Sequence, residues 1–153
     1  MAQILIIDDH DSMREGLELL LRRGGHTILS AGGGAEGLAL LEREGADLVI
    51  TDLKMARVGG LDVLRRTREL SPETEVFVIT AYGTIEKAVE AMQLGAADFI
   101  SKPFSSDEFA VKVDRLLRQR AEKERLRQEN VVLRIENTSL KEAVNGFFEQ
   151  IVE

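Results

Sequence analysis

The 153 residues contain no cysteine, no tryptophan and only two prolines, and no apolar run approaches the length of a membrane span. The missing cysteine excludes a disulfide framework and a thiolate metal site. The missing long apolar run excludes a membrane-spanning helix. Positive charge is also short: 20 Lys and Arg stand against 27 Asp and Glu, a formal net charge of −7. Nucleic-acid binding is dominated by the neutralisation of phosphates, so this chain is not expected to supply a nucleic-acid contact. The locally basic stretch from Lys112 to Arg127 reads as a solvated helix face. Repeats of solenoid length and low-complexity tracts are absent. Met1-Ala2-Gln3-Ile4 leads straight into an apolar run with no basic region before it, so a soluble, cytoplasmic protein is expected. The length suits one domain plus an extension, large enough to bury a core without staples.

What is present is a set of short apolar runs that each end in a polar group. Asp47-Leu48-Val49-Ile50-Thr51-Asp52 delivers a carboxylate and stops. Ile4-Leu5-Ile6-Ile7 runs into Asp8-Asp9, Val76-Phe77-Val78-Ile79 into Thr80, and Asp98-Phe99-Ile100-Ser101 into Lys102-Pro103. Such runs read as strands buried on both faces. Helix-like stretches separate them, so the sheet should be parallel and its polar ends should gather at one edge. Three carboxylates, a hydroxyl and an ammonium then meet around Asp52.

Between the strands, Ser12 and Glu15 suggest a capping box opening a helix whose buried face is Met13, Leu17, Leu20 and Leu21. Gly24-Gly25 ends it, and His26 to Ala31 is the second strand. Gly32-Gly33-Gly34 precedes a helix carrying Leu38 and Leu41, but no Gly-Lys-Ser/Thr follows, so the triplet reads as a plain loop. Leu61, Leu64 and Leu70 mark a third helix, and Ser71-Pro72 breaks the chain after it. A fourth, from Thr84 to Leu94, is expected to bury Ile85, Ala88, Val89 and Met92. Ser105 and Glu108 form a second capping box before core-facing Phe109, Val113, Leu116 and Leu117. His10 and His26 have no partner pattern and read as structural or exposed.

The acid pair Asp8-Asp9, Asp52, Thr80, Phe99 and Lys102-Pro103-Phe104, in this order and at these separations, resemble the receiver domain of two-component response regulators over roughly residues 3 to 120. The run from Ile79 through Tyr82-Gly83-Thr84 to Phe104 is similar to receivers of sigma-54-dependent transcription regulators. The resemblance implies an α/β, flavodoxin-like (CheY-like) doubly wound sheet of five parallel strands in the order 2-1-3-4-5. It implies that Asp52 accepts a phosphoryl group from a sensor histidine kinase. Asp9, Asp52 and the backbone carbonyl of Lys54 would touch Mg2+, with Asp8 acting through water. Lys102 and Thr80 would meet the phosphoryl oxygens, and Thr80 and Phe99 would switch together, altering the surface of the fourth and fifth helices. Such a chain is a switch that promotes its own phosphorylation and dephosphorylation, not an enzyme in the ordinary sense. Lys54 and Tyr82 occupy positions that tune access of water to the acyl phosphate. Ala56 and Gly59 depart from the family's usual proline and acid, which loosens the loop beside Asp52. The Lys102-Pro103 bond is expected to be cis, because Lys102 must point back into the strand-end pocket.

Rival readings fit less well. Haloacid-dehalogenase phosphatases need an Asp-x-Asp after the first strand, and flavodoxins need a hydroxyl- and glycine-rich loop there. Asp9-His10-Asp11-Ser12 is neither. A structural dimeriser with an idle receiver stays open.

No proline or glycine occurs from Ser105 to Asn145, so nothing obliges the last helix to stop with the domain. Leu126, Leu133, Leu140 and Phe147 are seven apart. As d positions they place Leu116, Lys123, Asn130, Asn137, Val144 and Ile151 at a, where asparagine marks a parallel pair held in register. Glu122, Glu129 and Glu136 at g would face Arg127, Arg134 and Lys141 at e of the partner helix. The expected organisation is a receiver over 1–120 and a coiled-coil linker over 121–153, homodimeric through about 123–144 and fraying at Gly146. The alternative is an amphipathic helix folded back on its own domain. The output module is expected outside these residues, either an ATPase for transcription regulation or a phosphohydrolase for nucleotide signalling.

Overall fold

The structure, a computed structural model, describes residues 2–81 and 85–152, with side chains described as far as residue 144. Tyr82, Gly83, Thr84 and the side chains of Phe147 and Ile151 therefore lie outside the described residues. Five strands alternate with five helices: β1 Gln3–Ile7, α1 Asp11–Arg23, β2 Thr27–Ala31, α2 Gly34–Glu44, β3 Leu48–Asp52, α3 Gly60–Leu70, β4 Glu75–Thr80, α4 Ile85–Gln93, β5 Asp98–Ser101 and α5 Ser106–Val152. All pairings are parallel, in the order β2-β1-β3-β4-β5. The chain groups into one unit to Arg118 and a second from Gln119.

In the first unit the strand period of two splits the core. Ile4 and Ile6 of β1, with Ile50, Phe77 and Ile79, pack with Leu17 and Leu21 of α1 and Phe109, Val113 and Leu116 of α5. Leu5 and Ile7, with Val49, Val76 and Val78, pack with Leu41, Val63, Leu64 and Ala91 of α2, α3 and α4. A sheet covered on both sides leaves no apolar-to-polar alternation along its inner strands, which is why β1, β3 and β4 read as continuous apolar runs.

Two local expectations are corrected. Helix α1 begins at Asp11 with His10 as N-cap and no side-chain cap bond, so Ser12 sits inside the helix and the Ser12–Glu15 box does not form. The Asp8 carboxylate accepts the His10 N–H at 2.8 Å, turning the chain before Ser12 can cap it. In α4 only Ala88 and Ala91 are buried, whereas Ile85, Val89 and Met92 are 70%, 50% and 41% exposed. Small residues three apart let this helix lie close to the sheet, which rotates its larger apolar residues outward. By contrast, the Ser105 hydroxyl does accept the Glu108 N–H, at 3.0 Å. The Lys102-Pro103 bond is cis, as expected. Gly34 is explained by packing: a Cβ there would lie 2.6 Å from the side chain and carbonyl of Val58.

Helix α5 runs from Ser106 to Val152, with Gly146 inside it. Within the second unit Leu126, Leu133 and Leu140 are exposed, as are Val131, Val132 and Ile135.

Phe109 is fully buried, its ring 5.7 Å from Phe77 and 5.6 Å from Phe104. Phe109→Ala should cost about 3–5 kcal/mol of stability, because the cavity opens between a strand and a helix that cannot both collapse into it. Urea denaturation of both proteins measures the difference.

Candidate functional site

The polar ends of the strands meet as the apolar pattern requires. Asp8 follows β1 and Asp52 closes β3, both almost fully buried. β1 and β3 are neighbours at the point where strand order reverses, the place where open α/β sheets hold their ligands. Asp52 Oδ2 accepts from Lys102 Nζ at 2.7 Å, and its Oδ1 accepts the Lys54 N–H at 3.0 Å. The Asp8 Oδ1 accepts from the His10 amide at 2.8 Å and lies 3.3 Å from His10 Nδ1, whereas its Oδ2 is buried without a partner. Ligand atoms of Asp8, His10 and Asp52 lie within 4.8 Å of one another. Two unit charges about 5 Å apart repel by about 3 kcal/mol at an effective dielectric near 20. Lys102 answers Asp52. Among the described residues nothing answers the outer oxygen of Asp8.

That orphaned oxygen is the test of whether a cation fits. A buried acceptor without a donor, beside a second buried carboxylate, is a donor set for a hard divalent ion that keeps waters for its remaining positions. Asp9 borders this cluster through His10. The Asp9 carboxylate lies 3.1 Å from His10 Nδ1.

The other expected residues take definite places. Thr80 is buried and its Oγ1 is turned toward β5, 3.4 Å from the Ile100 carbonyl and 3.2 Å from Ser101 Oγ. Phe99 is half-buried against the second core cluster. Lys54 reaches the site through its amide. In the loop between β3 and α3, Arg57 adopts a φ of 66°, a left-handed conformation costing a non-glycine residue about 1–2 kcal/mol. Gly60 is obligatory at the start of α3, since a Cβ would strike the Asp52 carbonyl and come within 2.6 Å of Leu53 Cα.

Three residues around the site carry no signal in the sequence. Ser101 pairs with Thr80 across β4 and β5, visible only once the register is known. Arg14 donates to the Asp8 carbonyl at 2.8 Å and pairs with Asp11. His10 is exposed, in keeping with its spacing, yet nothing in that spacing announces its place beside Asp8. His26 is structural: its Nδ1 accepts the Ala2 N–H at 3.3 Å.

Residues 4–114 match the family described as the response regulator receiver domain. The chain belongs to that family. Among curated relatives, this receiver is 37% identical over 120 residues to the transcriptional regulatory protein GlrR of Escherichia coli, covering 78% of this chain and 27% of the relative. It is 36% identical over 131 residues to the C4-dicarboxylate transport transcriptional regulatory protein DctD of Rhizobium meliloti, covering 86% and 28%. The receiver thus spans about a quarter of the length of these relatives. Among solved structures, NtrX from Brucella abortus superposes with a TM-score of 0.79 at 32% identity, covering 82% of this chain and 28% of that one. A receiver domain protein from Clostridium thermocellum gives 0.75 at 29%, covering 79% and 98%. Membership makes the chain a two-component signalling switch rather than an enzyme of the ordinary kind. No described helix is long and apolar enough to cross a membrane.

The crowded carboxylates make a stability prediction. Asp8→Asn keeps an oxygen to accept from His10 and replaces the buried, orphaned acceptor and its charge with a neutral amide. In buffer without divalent cations it should raise unfolding free energy by about 1–2 kcal/mol. Urea titration in the presence of a chelator reads this directly.

Proposed function

We propose that this receiver accepts a phosphoryl group on Asp52 from the phosphohistidine of a sensor histidine kinase and relays that state to an output module. The observation that carries the reading is the pairing of Lys102 Nζ with Asp52 Oδ2 at 2.7 Å beside the unpartnered Oδ2 of Asp8. An Asp52 oxygen attacks phosphorus, the P–N bond to the kinase imidazole breaks, and that imidazole takes the bonding pair as it leaves. Catalysis of such a transfer is chiefly positioning and neutralisation of charge. The Lys54 amide orients the carboxylate through Oδ1. Lys102, already on Oδ2, needs only a short movement to follow the charge onto the phosphoryl oxygens. Magnesium, touched by Asp9, Asp52 and the carbonyl of Lys54 and reached by Asp8 through water, would neutralise phosphoryl charge.

Thr80 is the switch in this reading. Its present bonds to Ile100 and Ser101, at 3.4 and 3.2 Å, are long for a hydroxyl donor and cheap to exchange for a phosphoryl oxygen. Phe99, next to Ile100 and only half-buried, would move with it. The names of the relatives, GlrR and DctD among them, favour transcription regulation as the output, and the sequence pattern favours the sigma-54-dependent kind.

The expected loading is measurable. Magnesium with a small acyl phosphate should give one phosphorylated residue by mass spectrometry, and Asp52→Asn should give none. Equal labelling of the variant would remove Asp52 from this role.

We also propose that residues 123–144 pair with a second copy in parallel. Leu126, Leu133 and Leu140 form an exposed stripe that a partner helix would cover. The charges have a competitor within each chain. Arg125 pairs with Glu122 at 2.5 Å and with Glu129 at 2.6 Å, two of the g glutamates, and Arg127 pairs with Glu124. The Arg125 guanidinium holds the Glu122 carboxyl below the usual range. A lowered carboxyl keeps its pairing above the ordinary pKa and loses it as pH falls through the lowered one. Cross-strand bridges must therefore share glutamates already engaged. Cysteines introduced singly by Asn130→Cys and Asn137→Cys should both give disulfide dimers in this cysteine-free chain. Failure at both positions, with a monomer in sedimentation at micromolar concentration, would make the segment a single helix.

A further inference from the structure

We propose that His10 is a nitrogen ligand for a first-row transition-metal dication held with Asp8 and Asp52, so that this site binds such ions with a preference an all-oxygen site lacks. The inference rests on the cation site of the reading above and concerns what His10 adds to it. Ligand atoms of Asp8, His10 and Asp52 all lie within 4.8 Å of one another. Two ligands about 2.1 Å from one ion, at tetrahedral or octahedral angles, sit about 3.0–3.4 Å apart. His10 Nδ1 is 3.3 Å from Asp8 Oδ1 and 3.1 Å from Asp9 Oδ1, so the imidazole already stands at ligand spacing from two carboxylates. The independent sign of a cation site is the Oδ2 of Asp8, on a side chain 1% exposed and without a donor among the described residues.

The backbone of His10 is fixed while its ring is not. Its N–H is held by Asp8 at 2.8 Å and its carbonyl accepts the Arg14 N–H at 3.0 Å, which anchors the residue at the start of α1. The side chain is 65% exposed, so the ring can turn about its own bonds to meet an ion without disturbing the core. Magnesium takes oxygen ligands, and imidazole suits cobalt, nickel and zinc. The same site therefore distinguishes the two classes of ion: carboxylates hold either, and only a transition metal gains from the ring. The competing account is that His10 serves as a cation paired with Asp8 and Asp9 and takes no part in ligation.

The test uses the whole 153-residue chain and two probes, Co2+ and Mg2+, each titrated alone by calorimetry, with the visible bands of bound Co2+ as a second readout. His10→Asn removes the imidazole and keeps a favoured N-cap, so α1 should retain its start. His10→Ala serves as a second variant. Both should weaken Co2+ by about tenfold or more, shift its visible bands, and leave Mg2+ within about twofold. Asp8→Asn should weaken both ions. Unchanged Co2+ binding and spectrum in the His10 variants overturns the proposal, as does equal weakening of Co2+ and Mg2+. If Mg2+ binds and supports beryllofluoride loading at Asp52 while Co2+ ignores His10, only this inference fails. If neither ion binds the unaltered chain, the cation site of the proposed function fails with it.

Discussion

A parallel sheet covered by helices on both faces can place polar side chains only where its strands end, and all its strands end on the same side. Everything in this receiver's site follows from that restriction. β1 and β3 lie side by side because the strand order reverses between them, so Asp8 and Asp52 are forced together at the mouth of a largely apolar sheet. The resulting repulsion is answered for Asp52 by Lys102, delivered from the end of β5 at 2.7 Å. For Asp8 it is answered only in part, since one oxygen accepts from His10 and the other has no partner among the described residues. A group left in that condition stores free energy that a cation can release on binding.

The strands, their order and the gathering of Asp8, Asp52 and Lys102 were legible because a run of four or five apolar residues that stops at a charge is too short for a buried helix and fits a strand covered on both faces. What was not legible depended on contacts outside the local pattern. In α4 the period of 3.6 selects a stripe but not which part of it meets the sheet. Ala88 and Ala91 won that contact over Ile85, Val89 and Met92 because small residues permit the closer approach. At α1 the Ser12–Glu15 signature lost to a hydrogen bond from His10 to Asp8, formed just before the helix begins. The direction of Thr80 was hidden for another reason: Ser101 and the Ile100 carbonyl become its neighbours only through the β4–β5 register.

The same register offers a short physical connection from the site to α5. Lys102 donates its backbone N–H to the Thr80 carbonyl at 2.9 Å, so the ends of β4 and β5 move as a pair. At the other end of β5, Asp98 accepts from Lys112 Nζ at 3.3 Å and also pairs with Arg115, both on α5, while its Oδ1 holds the Phe99 N–H at 2.7 Å. A change in Thr80 and Phe99 would therefore be felt by a strand that is tied to α5 by charge. Spatial continuity of this kind supplies a path for a relay, and the size of the coupling along it is a separate quantity.

The segment from Gln119 onward obeys a different constraint, because its described residues form one helix with no strand among them. Its leucine stripe is interrupted at every a position from Lys123 to Asn137, so a paired helix would bury three leucines against polar neighbours. Val131, Val132 and Ile135, at b, c and f, add apolar surface that a two-stranded pair leaves in water. Arg125 meanwhile neutralises two of the glutamates that would bridge to a partner. Surface pairs of this type each contribute less than about 1 kcal/mol, and sharing them lowers the figure further. The charges and asparagines of this helix are therefore suited to choosing register and direction, and the leucines to a modest attraction. A two-state pairing held by a small free energy is one that a modest change elsewhere in the chain can bias, since a population shifts only by the difference in free energy between its states. If the proposed pair forms, apolar residues at Asn130 and Asn137 would tighten it and by the same step make it harder to switch.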